Sequence, residues 1–227
     1  MCFNIFEQAT LLYVVSETWI LLTLLEPLSP SFRWTRILHR QDGTTNFAHN
    51  WAEYKAGFGD AGAEYWLGLE YMHQLTSSRP YTLRIDLTNF HGSSRYAKFS
   101  SFEVMSEAEK YRLLLGSYSG DVSTDEAEDS TDGFLYHNNS QFTTPDDDND
   151  EKDPGSCVDH HTGCNCVRGG FWYKDCAKFN PTSVYCPTNG CGYTLKNLHY
   201  DSFGGNGATM TRITMMIRPR SCKCVFL

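Results

Sequence analysis

The chain lacks the features that mark most function classes. No basic stripe is available to displace counterions from a phosphate backbone, so nucleic acid binding is disfavoured. The longest apolar stretch, Leu11 to Leu25, is broken by Ser16, Glu17 and Thr18. It is no convincing membrane span, because a transmembrane helix needs about 20 apolar residues. G-x-S-x-G, H-E-x-x-H, Walker A and Rossmann fingerprints are all missing, and with them the sequence case for an enzyme. No C-x-x-C pair occurs: Cys164 and Cys166, like Cys222 and Cys224, are one residue apart, and Cys186 and Cys191 have four residues between them. A zinc knuckle is therefore disfavoured. No collagen-like or coiled-coil stretch supplies valency, so multivalent binding would need a homo-oligomer or cysteine cross-links.

Apolar residues, acidic residues and cysteines are plentiful. Of 227 residues, 41% are apolar and 14% aromatic, enough for a packed core and too many for global disorder. The length suits one sizeable domain or at most two small ones. The net charge of −8 is unevenly placed: between Asp121 and Asp153 twelve acids stand against one base, Lys152, while the remainder carries 18 bases and 15 acids. Eight of the nine cysteines, all but Cys2, fall in the last 71 residues. That density suits an oxidising, extracellular compartment and loops pinned by disulfides. An odd count leaves one thiol free or paired with another chain. His160 and His161 give the only support for zinc here, and Asp159-His160-His161 the only support for acid–base work; adjacent histidines in a Cys-rich loop are more often surface residues.

The most unusual stretch is Thr143 to Cys157, TTPDDDNDEKDPGSC. Asp146, Asp148 and Asp150 alternate, and carboxylates this crowded repel one another unless a cation neutralises them. Ca²⁺ accepts about six to eight oxygen ligands in a flexible geometry. An EF-hand is excluded: with Asp146 at loop position 1, position 6 is Glu151 in place of Gly and position 12 is Cys157 in place of Glu. The plain alternative is a solvated acidic loop.

Upstream, Phe32 to Leu38 reads as a strand ended by the turn Asp42-Gly43. Asn50 with Glu53 forms a capping-box variant, Trp51, Tyr54 and Phe58 repeat at helical spacing, and Gly57 closes the helix. A second helix runs from about Leu69 to Thr76 with Leu69, Met72 and Leu75 inward. Tyr81 to Leu87 alternates as a half-buried strand, Asn89 to Ser94 turns, and Tyr96–Val104 and Tyr111–Leu115 are further strands. Thr211 to Ile217 places Ile213, Met215 and Ile217 on one face and completes the sheet. Helix then hairpins, without βαβ alternation, describes an α+β chain with an antiparallel central sheet and short flanking helices. Trp51, Trp66 and His73 fit the core.

These motifs resemble the fibrinogen C-terminal domain. They are Trp34-Thr35-x-Ile37, Arg40-Gln41-Asp42-Gly43, Asn46-Phe47, Trp51-x-x-Tyr54-Lys55-x-Gly57-Phe58-Gly59 and Glu64-Tyr65-Trp66-Leu67-Gly68. Further along come Leu83 to Leu87, Tyr111-Arg112-Leu113 with Gly116-x-Tyr118-x-Gly120, Phe142-Thr143-Thr144-x-Asp146-x-Asp148-Asn149-Asp150 and Met215 to Pro219. The resemblance runs from about Trp34 to Pro219. The family includes the ends of the fibrinogen β and γ chains, ficolins, tachylectins, angiopoietins and tenascin tips, which are extracellular recognition modules and not enzymes.

The resemblance implies a secreted Ca²⁺-binding domain. Asp148 and Asp150 would hold the ion through side chains, Lys152 and Gly155 through backbone carbonyls, and Cys157 would pair with Cys176. The peptide between Asp175 and Cys176 would be cis, which in ficolin-like members aims two N–H groups at an acetyl carbonyl. The organisation is then a leader or atypical segment over 1–31, a domain over 32–220 and a tail over 221–227. The domain divides into a scaffold of about 32–120 plus 211–219 and a calcium and pocket subdomain of about 121–210.

The chain departs from the family in several places. The N-terminal subdomain is missing. In its place residues 1–30 read as a weak secretion signal or an atypical leader, with no base before Arg33. Cys164, Cys166, Cys186 and Cys191 are additions, with Cys164–Cys166 and Cys186–Cys191 or a crossed pattern as pairings. Ala177 stands where acetyl-binding members often have His. Tyr193, Tyr200 and Phe203 could wall a pocket for a methyl group or sugar face, or simply pack the loops; His199 could meet a ligand or lie on the surface. The expected function is lectin-like binding of acetylated glycans in innate recognition. The alternative is binding of an extracellular protein, as in angiopoietins and tenascins.

Overall fold

The structure is a computed structural model that describes residues 34–122, 133–158, 169–185, 198–200, 203 and 209–220. Its frame is an antiparallel sheet. Strands β1 (Thr35–Arg40), β2 (Phe58–Gly59), β3 (Tyr65–Trp66), β4 (Tyr81–Asn89), β5 (Ser94–Val104), β6 (Leu113–Leu115), β7 (Tyr118–Gly120) and β10 (Met210–Pro219) belong to it. The order is β2-β3-β1-β10-β4-β5-β6, with β7 also paired to β5. β8 (Phe179–Asn180) and β9 (His199–Tyr200) form a separate small pair. The last strand in sequence, β10, lies between β1 and β4, so the frame closes only when the C-terminal part of the chain is in place.

β4 shows why these residues make strands. Tyr81, Leu83, Ile85, Leu87 and Asn89 are buried while the residues between them are half exposed, a period of two that puts one face on the core and one in water. β10 answers with Ile213, Met215 and Ile217, all fully buried, in register with Leu87, Ile85 and Leu83. Each such side chain contributes about 1.5–3 kcal/mol by leaving water. Helix α1 (Trp51–Ala56) has the full capping box, with the Asn50 side chain accepting from Glu53 N and the Glu53 side chain from Asn50 N. Gly57 closes it at φ +91°, where a Cβ would run into the Leu67 backbone. α2 (Leu69–Ser78) buries Leu69 and Met72 and lies against β5. No helix among the described residues is long and apolar enough to cross a membrane.

Three expectations need correction. The strand expected from Tyr111 begins at Leu113, because Lys110 and Tyr111 both take positive φ, +55° and +47°, and reverse the backbone before pairing can start. Trp51 is only half-buried, since its indole reaches outward to Glu107 Oε1 at 3.0 Å. His73 is likewise half-buried, held at the core edge by Val104 O at 2.8 Å.

An aromatic seam joins the sheet to the region beyond it. Trp66 meets Trp172 at 5.9 Å between centroids, Phe134 meets Phe179 at 5.4 Å, and Phe179 meets Tyr200 at 5.2 Å. The two buried indoles each find an acceptor: Trp66 Nε1 donates to Tyr54 O at 2.9 Å and Trp172 Nε1 to Tyr111 O at 2.7 Å. Beside the seam, Arg40 stacks on Phe47 at 3.9 Å and donates to Pro181 O and Ser183 O. Its partner Glu64 accepts from the backbone N–H of Gln41, Asp42, Gly43 and Thr45. Burial works to raise the Glu64 pKa, but those N–H donors and the Arg40 charge together hold it below the usual carboxylate range.

Candidate functional site

The acidic run opens as a small hairpin. Thr144 N donates to Asp147 O at 2.9 Å and Asp147 N to Thr144 O at 3.2 Å, while Thr143 exchanges both backbone bonds with Phe171. Within this turn the acidic side chains divide by role. Asp146 accepts from Trp51 N at 2.9 Å and Thr144 Oγ1 at 2.8 Å, so it serves the start of α1, where negative charge is favourable. Asp147 pairs with Lys110 at 2.7 Å. Asn149 staples the loop through its amide, donating to Phe142 O at 2.9 Å and Asp147 Oδ1 at 2.9 Å. Among the described residues no cation pairs with Asp148 or Asp150.

Asp150 is half-buried and sits in a nest of donors. Its Oδ1 accepts from Lys152 N at 2.9 Å, and its Oδ2 from Cys157 N at 2.7 Å and Ser156 Oγ at 3.3 Å. Asp150 N in turn donates to Asp148 Oδ1 at 3.3 Å, which sets the two residues side by side. Burial pushes the Asp150 carboxyl up, the two N–H donors pull it back, and the neighbouring Asp148 charge pushes it up again, for a net rise. A cation beside both carboxylates would reverse that rise. No described residue donates to the carbonyls of Lys152 or Gly155. Two carboxylates and free carbonyls are a hard-oxygen donor set of the kind Ca²⁺ takes, and in that sense the residues fit the ion. Among the described residues no three His, Cys, Asp or Glu side chains converge on a metal position.

The loop is tied down at its far end. Cys157 and Cys176 are joined by a disulfide with Cα atoms 5.0 Å apart, and Glu151 N donates to Lys174 O at 2.9 Å. The expected cis peptide before Cys176 is absent. The cis bond among the described residues is Asp153–Pro154, and the reversal at Cys176 is made by its own backbone at φ +60° with Lys174 N bonded to Cys176 O at 3.0 Å. Asp175 is exposed beside it.

The expected aromatic wall is spent on packing. Ala177, Tyr200 and Phe203 are only 7%, 4% and 4% exposed and belong to the core. Tyr200 fits against Gly133, whose φ of +54° and missing Cβ make room for the ring. His199 is neither at the surface nor open to a ligand from these residues: it is buried, with Nε2 at 3.3 Å from Ala177 O. Tyr193, the cysteines Cys164, Cys166, Cys186 and Cys191, and Asp159-His160-His161 lie outside the described residues, as do Cys2, Cys222, Cys224 and the N-terminal segment.

Sequence reasoning missed the residue that shapes this region most. His137 is fully buried, Nδ1 bonded to Trp172 O at 2.7 Å and Nε2 facing the N–H groups of Lys178 and Phe179, both at 3.2 Å. The pattern fixes the neutral tautomer with its proton on Nδ1, and burial pushes the pKa down to about 3. It buttresses the backbone just after Cys176. No local signal marks it, because its partners are 35 to 42 positions away. The same holds for the Arg40–Glu64 pair, whose members appear in separate motifs.

Comparisons with known proteins agree with this architecture. The chain is 37% identical over 187 residues to angiopoietin-related protein 7 of Bos taurus, covering 82% of this chain and 50% of that protein. It is 36% identical over 190 residues to human angiopoietin-4, covering 82% of this chain and 34% of that protein. It therefore spans about half the length of the first relative and a third of the second. Among solved structures, the fibrinogen-like globe domain of human ANGPTL6 superposes with a TM-score of 0.72 at 35% identity, covering 83% of this chain and 78% of that one. The family model for the C-terminal globular domain of fibrinogen beta and gamma chains matches residues 29–220. With the sheet order, the pinned acidic loop and this match in hand, the chain belongs to the fibrinogen C-terminal domain family.

Proposed function

We propose that this chain is a secreted, extracellular recognition module, without catalytic activity, that binds a protein partner and carries Ca²⁺ in its acidic loop. One observation carries the choice of partner. The described residues expected at an acetyl pocket, Ala177, Tyr200 and Phe203, are packed into the core. The kinship with angiopoietin-related proteins supports the same choice. Asp148 and Asp150 would hold the ion with the carbonyls of Lys152 and Gly155. The ion supplies charge neutralisation, which fixes the loop between Asp146 and the disulfide.

The competing reading, acetylated glycans, separates cleanly by experiment. The purified chain is applied to intact cells at millimolar Ca²⁺. Protein recognition predicts binding that is lost when the cells are pretreated with trypsin and is unaffected by free N-acetylglucosamine. Retention on immobilised acetylated sugar with elution by the free sugar would overturn it in favour of the glycan.

A further inference from the structure

A cavity of about 220 Å³ lies beside the acidic loop, lined by Arg112, Asn139, Ser140, Gln141, Glu151 and Tyr173 among others. Its walls hold an anomaly. Three buried side-chain atoms have no hydrogen-bond partner among the described residues, and two of them, Arg112 Nε and Ser140 Oγ, belong to residues that line this one cavity. Ser140 is 4% exposed. Buried donors left without an acceptor are rare, because desolvation is then uncompensated.

The backbone of both residues is held in place. Leu113 N donates to Ser140 O at 3.0 Å, Asn139 N to Leu113 O at 2.8 Å, and Met105 N to Arg112 O at 2.9 Å, so the segment is stitched to edge strand β6. The guanidinium is also uncommitted. Its one ion contact is Glu109 at 3.7 Å, with both side chains over a third exposed, and such pairs are weak.

We infer that Arg112 and Ser140 form a subsite for a carboxylate, an Asp or Glu side chain presented by the protein partner. The inference rests on the protein-recognition reading above and names the chemistry it uses. A guanidinium and a hydroxyl on the wall of one cavity can meet a planar carboxylate through charge-assisted hydrogen bonds, and Asn139 and Gln141 extend the polar wall. The volume is below the roughly 300 Å³ at which pockets begin to take whole drug-sized ligands, so it suits a side-chain head group and not a sugar ring with substituents. Glu151, also on the wall, repels any anion there, so neutralising it should tighten binding.

The test follows the Arg112 Nε–H signal and the backbone amides of residues 139–141 in ¹H–¹⁵N spectra of the full chain. Sodium acetate, the capped peptide acetyl-Gly-Glu-Gly-amide and inorganic phosphate are titrated at matched ionic strength. The expected result is saturable shifts with acetate and peptide and none with phosphate. Arg112→Gln weakens peptide binding about tenfold, the loss of one charge-assisted bond. Ser140→Ala weakens it roughly threefold, and Glu151→Gln tightens it by a similar factor of about three. Should Arg112→Gln fail to fold, the opposite signs of the other two variants still decide. Absence of saturable shifts, shifts that survive Arg112→Gln, or equal shifts with phosphate would overturn the subsite. Acetate needs no partner protein, so failure here leaves the trypsin test of protein recognition standing, and failure there leaves these shifts to be read on their own.

Discussion

In the β4–β10 ribbon every second side chain is buried and the hydrogen bonds run from backbone to backbone. Between Phe142 and Cys157 the pattern inverts. There Asp146, Asn149 and Asp150 bond through their side chains to backbone groups and Asp147 to the Lys110 ammonium, and only the first hairpin has a ladder. A ribbon of the first kind tolerates polar substitution on its wet face and fails when its apolar face is cut. A loop of the second kind depends on individual atoms, so one carboxylate or imidazole can decide its shape while its surface stays open for recognition.

The two regions should break differently. Ile85→Ala cuts the ribbon where Met215 faces it, and a buried Ile reduced to Ala should cost about 2–5 kcal/mol, read as a lower urea midpoint with an unchanged slope. His137→Phe strikes the loop region. It leaves the N–H groups of Lys178 and Phe179 facing a ring without an acceptor, at roughly 1–3 kcal/mol, and amide hydrogen exchange should speed at those two positions while β4 keeps its protection.

The same variant carries a pH signature. In the fold His137 stays neutral down to about pH 3 because it is buried, whereas in the unfolded chain it titrates near 6.5, by the ordinary value of about 6.5. Between those limits the unfolded state binds the extra proton. The stability is therefore complete above about pH 6.5 and declines as the pH falls toward 3. His137→Phe removes this part of the slope, and urea melts at several pH values across the window should show a flatter profile for the variant.

Much of the ribbon was legible in the sequence because its cause is local. Alternation from Tyr81, the Asn50–Glu53 capping box and the Ile213-Met215-Ile217 face each lie within a few residues of one another, and the structure places them as the periodicity implies. The acidic run was legible as an oddity, but its division of labour was not. Which aspartates serve Trp51 and Lys110, and which stay without a cation, depends on partners 95 and 37 positions away. Whether Tyr200 walls a pocket or packs the loops was left open in the sequence for the same reason: Tyr200 is claimed by Phe179 and by the space at Gly133, and neither claim leaves a mark near residue 200.

A milder change sharpens the comparison at the point where the two regions touch. Asn50→Ala removes the cap of α1 and should cost about 1 kcal/mol. Because Asp146 bonds the first N–H of that helix, the loss should also loosen the acidic loop, seen as line broadening at Asp146 and Asp147 but not in β10.

The claim at the centre of the account is that Asp148 and Asp150, side by side and lacking a cation of their own, take Ca²⁺ and thereby set the loop. Thermal melting of the full chain with millimolar Ca²⁺ and with excess chelator tests it most directly. The account predicts a higher melting temperature with Ca²⁺, and a Asp148→Ala, Asp150→Ala double variant whose melting no longer responds to the ion. Identical melting of the unaltered chain with Ca²⁺ and with chelator would contradict it.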